Sequence, residues 1–451
     1  MTFPKNFIWG AATSAYQIEG AAGDDGRGPS IWDEFCRRPG VVAGGASGAT
    51  SCEHYHRYLQ DVALMQGLGL QAYRFSISWP RVLPSGMGQV NVAGLDFYDR
   101  LTDALLAAGI TPYATLYHWD YPLALHRFGG WLHPDSSDWF ARYAEVIVDR
   151  LSDRIRHWIT FNEPQIFAGF GYQDGSHAPG ERLDLAQVLT IGHNVLLAHG
   201  KAVQAIRSRA KVKPAVGYAV AVSPVAVPAT ETREDISAAR EVFFAASRPL
   251  STNNSWWTDP VVLGRYPQDG LRLFENALPQ FGGNDLATIC QPLNFLGLNV
   301  YFGEHYRAGA HGSPEAIPAP PNQERTSFNW PVEPESMYWA SKFYAERYGL
   351  PIIISENGMA CTDLVSPDGS VQDVQRIDFL RRYLSQLKRA ISEGIDVRGY
   401  FVWSLLDNFE WAEGYTQRFG IVHVDYPTQQ RTPKDSATWY KEVIAVNGAM
   451  L

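Results

Sequence analysis

The 451-residue chain is 45% hydrophobic and 19% charged, an ordinary globular composition that supports a large buried core. Its formal net charge of −9, with no basic run, argues against nucleic acid as a partner, because backbone binding needs a basic face. No apolar run of about 18 residues suggests a membrane span. The opening string MTFPKNFIWG lacks a leader pattern, and Cys36, Cys52, Cys290 and Cys361 are too scattered for a disulfide frame or zinc site, so free thiols in a cytoplasmic setting are expected.

Eight apolar, β-rich runs read as strands. In chain order they cover residues 8–18, 72–78, 111–119, 157–163, 214–222, 294–301, 351–355 and 399–405. They are near-continuously apolar, as strands buried on both faces of a parallel sheet must be. Helical stripes lie between them. Leu95, Tyr98, Leu101, Leu105 and Ala108 precede Gly109, and Ile377, Leu380, Leu384, Leu387 and Ile391 precede Gly394. Their spacings of three and four mark one face of a helix, with glycine as the stop. Trp139, Tyr143, Val146 and Ile147 repeat the pattern, with Arg150 turned outward. Strand and helix in repetition mean right-handed βα units, and eight of them make a single (β/α)8 TIM barrel with extended βα loops over 1–451. The Pro/Gly/Ser-rich stretch 303–329 reads as one long loop, not a boundary between domains.

Loops that follow the strands of such a barrel face its site. The first run closes on Tyr16, Gln17 and Glu19, and the second carries Arg74. The third ends on His118 and Trp119, the fourth on Asn162 and Glu163, and the sixth on Asn299 and Tyr301. The seventh ends on Glu356, and the eighth delivers Trp403 and then Asp407, Glu410 and Trp411. A solvated loop role explains any one of these but not all of them together. Glu163 and Glu356 stand on facing strands. A pair of carboxyls is what glycoside cleavage needs, one to protonate the leaving oxygen and one to attack. Arg74 is the cation to hold Glu356 ionised.

Longer strings carry more. ITFNEP (159–164), IIISENGMA (352–360), FIWGAATSAYQIEGA (7–21) and the stretches 55–86 and 399–426 closely resemble the motifs of glycoside hydrolase family 1, the β-glucosidase family, from about Phe3 to Tyr440. The resemblance implies a retaining exo-β-glucosidase without cofactor or metal, with a small-molecule glycoside as its partner. Glu163 is then the acid/base and Glu356 the nucleophile. Gln17, His118, Asn162, Glu410 and Trp411 hold the hydroxyls of the non-reducing-end sugar, Trp403 stacks on it, and Trp119 and Phe419 complete the binding set. Tyr301 and Arg74 contact the nucleophile, supported by Asn299, while Trp330 forms an aromatic wall on the leaving-group side. The two carboxyls of a retaining enzyme stand about 5–5.5 Å apart. Glu410 disfavours a phosphorylated sugar, and a true acid at Glu163 favours O-glycosides. Transglycosylation and β-galactosidase or β-fucosidase activity remain open alternatives, as does a homo-oligomer.

Other residues carry blander expectations. His54 and His56 form an HxH pair read as structural. His177 reads as loop structure, Trp9, Trp32 and Trp79 as core, and Asp120 and Asp407 as supports. The chain departs from the family's usual pattern at Tyr121 and Leu123, expected at the site rim, and at Asn294 and Val300. All four departures are expected to bear on the shape of the cleft.

Overall fold

The computed structural model describes residues 2–451. Eight parallel strands close a barrel: β1 (Ile8–Ala12), β2 (Ala72–Ser76), β3 (Thr111–Tyr117), β4 (His157–Asn162), β5 (Ala215–Ala221), β6 (Phe295–Asn299), β7 (Ile352–Asn357) and β8 (Val397–Trp403). Each pairs with its sequence neighbours, and β8 returns to β1 with Ala12 opposite Trp403. All eight correspond to expected runs. The first is shorter than expected, because the chain turns after Ala12 into the short helix Ala15–Ile18. Gln17 therefore belongs to a loop helix and not to a strand.

The barrel interior is filled from the bottom by side chains of alternating size. Tyr113, Ile159, Phe295, Ile353 and Phe401 pack with Ala12, Ala72 and Ala219. Large rings fit because glycine stands opposite them. A Cβ on Gly10 would lie 2.5 Å from the Phe401 ring, and one on Gly217 would lie 2.2 Å from the Phe295 ring. The barrel is thus a packed core rather than a pore, open only where the loops diverge.

The outer layer follows the periodicities. It comprises α1 (His54–Gly67), α2 (Val92–Ala107), α3 (Ser136–Leu151), α4 (Leu185–Arg209), α5 (Arg233–Phe244), α6 (Asn254–Leu263), α7 (Glu335–Tyr348), α8 (Val374–Ser392) and α9 (Asp435–Ala445). Gly109 and Gly394 take φ of 76° and 92° just past α2 and α8, the left-handed conformation that glycine supplies at helix ends. Arg150 does face outward, onto Asp96 and Asp99 of α2. No described helix is long and apolar enough to cross a membrane.

The stretch 303–329 is not a plain loop. Its Gly303–Ala308 pairs in parallel with Val225–Pro228 and antiparallel with Pro314–Ala316, making a small sheet above the barrel. Its two strands within this stretch are short, and only Gly303 of them is buried, so little apolar signal marks them.

The loops after β7 and β8 are tied to each other by a cluster of mostly buried charges. Asp363 accepts from Arg376 at 2.7 Å and from Lys434 at 2.5 Å. Lys434 also donates to Asp407 at 2.7 Å, which accepts from Arg418 at 2.6 Å, and Arg376 pairs again with Asp373. Asp407 is a support here, as expected. Removing one partner of such a cluster strands the others without water. Arg376→Met should therefore cost on the order of 3–5 kcal/mol, read as a lower urea midpoint at unchanged slope.

Candidate active site

The open end of the barrel holds a cavity of about 460 Å³. His118, Trp119, Glu163, Tyr301, Trp330, Glu356, Trp403, Glu410, Trp411 and Phe419 all line it. Gln17, Arg74, Asn162 and Asn299 are fully or almost fully buried and stand directly behind that lining, hydrogen-bonded to its residues. The fourteen residues that the family resemblance assigns to catalysis and binding thus converge on one place, whereas Glu19, from the same strand end as Gln17, turns away to pair with Arg81.

Arg74, at the middle of β2, organises the floor. Its Nη1 donates to Glu356 Oε1 at 2.6 Å, Nη2 to Asn162 Oδ1 at 2.5 Å, and Nε to Thr115 Oγ1 at 3.2 Å. The other oxygen of Glu356 accepts from Tyr301 Oη at 2.7 Å. Glu163 sits on the adjacent side and accepts from Asn299 Nδ2 at 2.8 Å. Asn299 is aimed in turn by Ser355, whose hydroxyl donates to Asn299 Oδ1 at 2.6 Å.

The two carboxyls differ in surroundings. Burial raises the pKa of both. For Glu356 this is opposed by the Arg74 guanidinium and the Tyr301 hydroxyl. For Glu163 the negative charge of Glu356 adds to burial, and its countering partners, Asn299 and the more distant Arg74, are weaker. Glu163 is therefore driven further toward the protonated form than Glu356, the kind of inequality that can separate an acid from a nucleophile.

Beside this pair lies a recess walled by polar and aromatic side chains. Gln17 Nε2 donates to Asn408 Oδ1, to the Phe409 carbonyl and, at 3.4 Å, to Glu410 Oε2, while its own oxygen accepts from Ser14. Burial, with the nearby Glu356 and Glu163, pushes the Glu410 carboxyl up to about 8. His118 is buried among apolar groups near Arg74, which lowers its pKa well below the usual range and keeps it neutral. Its Nε2 accepts from Asn162 Nδ2 at 3.1 Å, so Nδ1 carries the hydrogen. Its ring stacks on Trp403 at 5.7 Å. Trp119 donates to the Asn162 carbonyl at 2.9 Å and packs on Trp411 at 4.6 Å. Trp32, a core residue as expected, backs Trp411 at 4.7 Å.

Backbone conformation is part of the construction. Trp119, Glu163 and Trp411 take φ of 78°, 48° and 48°, a region costly to residues with a Cβ. Glu163 caps the short helix Pro164–Ala168, with Pro164 at its first position. A Cβ on Gly358 would lie 1.7 Å from the Trp403 carbonyl oxygen, so only glycine lets the chain after Glu356 pass this close to β8.

Comparison with known proteins fits this geometry. The family model described as glycosyl hydrolase family 1 matches residues 1–449. The chain belongs to glycosyl hydrolase family 1. Among family 1 relatives it is 46% identical to β-glucosidase A of Acetivibrio thermocellus, over 99% of each chain. It is 44% identical to the 1,4-β-D-glucan glucohydrolase of Thermotoga neapolitana, again over 99% of each. The solved family 1 structure of the Thermotoga maritima β-glucosidase in complex with glucoimidazole superposes with a TM-score of 0.91 at 44% identity, covering 99% of both chains.

The four departures from the family's usual strings do not shape the cleft. Tyr121 is fully buried between Trp79 and Trp131, at ring distances of 5.2 and 4.8 Å, and Leu123 is 5% exposed and absent from the cavity wall. Asn294 lies at the opposite end of the barrel, where its Oδ1 accepts from Val216 N and Arg207. Val300 is fully buried behind the wall. Tyr121, Leu123 and Val300 turn into the core, while Asn294 is exposed at the far end of the barrel. His54 and His56 also separate. His54 bonds Asp61 in a buried pair completed by Arg431, and His56 meets Asp24 in the open. Among the described residues no His, Cys, Asp or Glu cluster is arranged to hold a metal ion, and all four cysteines are free thiols.

His177 lies in a loop, as expected, and that loop also brings it onto the cavity wall, where it packs on Trp119 at 5.9 Å. Ile166, Phe170, Phe302, Phe328 and Glu413 also line the cavity and were not singled out in the sequence. The signal available for some of them was adjacency: Ile166 and Phe170 follow Glu163, and Phe302 follows Tyr301.

Replacing Arg74 by Met removes the main cation opposing protonation of Glu356, so the pKa of Glu356 should rise. The acidic limb of the kcat/KM–pH profile should move to higher pH, with a loss at the optimum of at least ~100-fold. A loss with an unmoved acidic limb would separate Arg74 from the charge of Glu356.

Proposed function

We propose that the chain is a retaining exo-β-glucosidase that removes the non-reducing-end β-D-glucosyl unit from unphosphorylated O-glycosides. The observation that carries this reading is the unequal environment of two buried carboxyls in one cavity, Glu356 bonded to Arg74 and Tyr301 and Glu163 bonded only to Asn299. The similarity to enzymes named β-glucosidase supports glucose as the glycone.

In the first step Glu356 attacks the anomeric carbon while Glu163 gives its proton to the glycosidic oxygen, and the aglycone leaves as an alcohol. The product is a glucosyl ester on Glu356. Esterification removes the negative charge that helps hold Glu163 protonated, so Glu163 becomes a competent base. In the second step Glu163 takes a proton from water, whose oxygen attacks the same carbon and frees glucose with its configuration retained. Arg74 and Tyr301 hold the nucleophile in line and receive its charge back at the end.

Gln17, Glu410, His118 and Asn162 supply the polar groups that read glucose hydroxyls, while Trp403 and Trp411 offer apolar faces. Glu410 at its raised pKa presents a donor below about pH 8, which suits a neutral hydroxyl. No lysine or arginine lines the cavity, so no cation on its wall favours a sugar phosphate. The same intermediate serves transglycosylation when a sugar replaces water, and the product ratio at high donor concentration separates the two outcomes.

A 2-deoxy-2-fluoro-β-glucoside with a good leaving group should accumulate the ester, and peptide mapping should place it on Glu356. A label on any other residue overturns the assignment. Glu163→Gln should retain glycosylation of activated aryl glucosides, lose turnover of unactivated ones by at least ~100-fold, and recover turnover with azide. Its rate should also lose the alkaline limb that deprotonation of Glu163 imposes on the wild type. Equal collapse on both substrate classes would remove Glu163 from the role.

A further inference from the structure

Tyr301 reaches Glu356 from a part of the chain that belongs to no strand. β6 ends at Asn299, and the small sheet takes up the chain again at Gly303. The neighbours of Tyr301 are fixed on both sides. The Val300 N–H donates to the Glu356 main-chain carbonyl at 2.9 Å, the Val300 carbonyl accepts from Asn357 Nδ2 at 2.6 Å, and the Phe302 carbonyl accepts from the Val225 N–H at 3.0 Å. Among the described residues no main-chain group pairs with the N–H or the carbonyl of Tyr301 itself. Such groups need partners when water is excluded, and here two side-chain hydroxyls from distant elements supply them.

Ser223, just past β5, accepts from the Tyr301 N–H at 2.8 Å and from the Phe302 N–H at 3.2 Å. Tyr383, on the outer helix α8, donates to the Tyr301 carbonyl at 2.8 Å. The direction of that bond is fixed. The same phenol oxygen accepts from the Glu333 N–H at 2.9 Å, and a hydroxyl has one proton to give. Tyr383 is fully buried and its ring stacks on Phe379 at 3.9 Å, so it has little room to swing. The main chain of Tyr301 is thus gripped from both sides, and its own hydroxyl stays free to donate to Glu356 Oε2 at 2.7 Å. A backbone shift of about 0.5 Å would stretch that bond beyond its useful range.

We propose, resting on the glucosidase reading above, that Ser223 and Tyr383 are positioning residues for the nucleophile, which clamp the main chain of Tyr301 so that its hydroxyl meets Glu356. Neither bonds to a reacting carboxyl, and Tyr383 does not line the cavity at all. Their effect on the reaction passes through Tyr301.

Tyr383→Phe and Ser223→Ala each remove one hydroxyl and little else. Tyr440→Phe is the control: Tyr440 is equally buried and its hydroxyl donates to a main-chain carbonyl, that of Gly10, at 2.9 Å, but neither residue lines the cavity. On 4-nitrophenyl β-glucoside the first two variants should each lower kcat/KM at least ~3-fold, while the inhibition constant of glucose changes less than ~2-fold. The acidic limb of kcat/KM should move to higher pH, because a carboxylate that loses a donor takes up a proton more readily. Tyr440→Phe should lower the Tm comparably and show neither change. The decisive comparison is a cycle with Tyr301→Phe. In that background Tyr383→Phe and Ser223→Ala should each cost less than ~1.5-fold more, since the bond they serve is already gone. Losses that multiply in the double variants, or single variants that behave like Tyr440→Phe, overturn the inference and leave the glucosidase reading standing. A wild type that cleaves another 4-nitrophenyl β-glycoside but not the glucoside overturns the choice of glucose alone, and the same cycle on that glycoside decides the inference. No cleavage of any 4-nitrophenyl β-glycoside overturns both.

Discussion

The guanidinium of Arg74 is the constraint around which the site is built. It is almost completely buried, and it bridges β3, β4 and β7 through Thr115, Asn162 and Glu356. A buried cation is tolerable only with its donors satisfied and a carboxylate at hand. A charged Glu356 therefore serves folding and chemistry together. The same arrangement makes Glu163 the odd carboxyl: the site holds one strong cation, Glu356 has it, and the other carboxyls nearby must be protonated or pay in desolvation. Glu410, pushed up to about 8, obeys the same rule.

The barrel was legible in the sequence because its signal is redundant. Strands buried on both faces must be apolar throughout, and the helices between them must show a stripe, so eight repeats of one pattern reinforce each other. The small sheet within 303–329 was not legible. Its two strands there are short and mostly half-buried or exposed, so neither a buried run nor a clean alternation marks them. The overlong first strand had a different cause: Ala15–Ile18 is as apolar as Ile8–Ala12, and composition alone does not locate the turn between them.

The site divides in the same way. Residues whose chemistry is unusual for their place stood out, such as Glu163, Glu356 and the histidine and tryptophan at the end of β3. Phe170, Phe302 and Phe328 did not, because an apolar residue near an apolar run looks like core until its exposure is known. The converse error occurred at Tyr121 and Leu123. Unusual residues beside a site motif suggested the cleft, but packing between Trp79 and Trp131 put Tyr121 inside. Adjacency in sequence to a catalytic string is thus a poor guide to adjacency in space, except where a turn is tight, as in Glu163–Pro164.

The left-handed backbone at Trp119, Glu163 and Trp411 bears on how the protein can be engineered. Strained positions are where stability is ordinarily easiest to gain, since relaxing one returns about 1–3 kcal/mol. In this fold the three coincide with the cavity walls, so relaxing any of them would turn its side chain out of the pocket. Thermal hardening of this enzyme must therefore draw on the outer helices and the loops far from the barrel mouth. The mouth itself is a reserve of strain that selection for activity keeps in place.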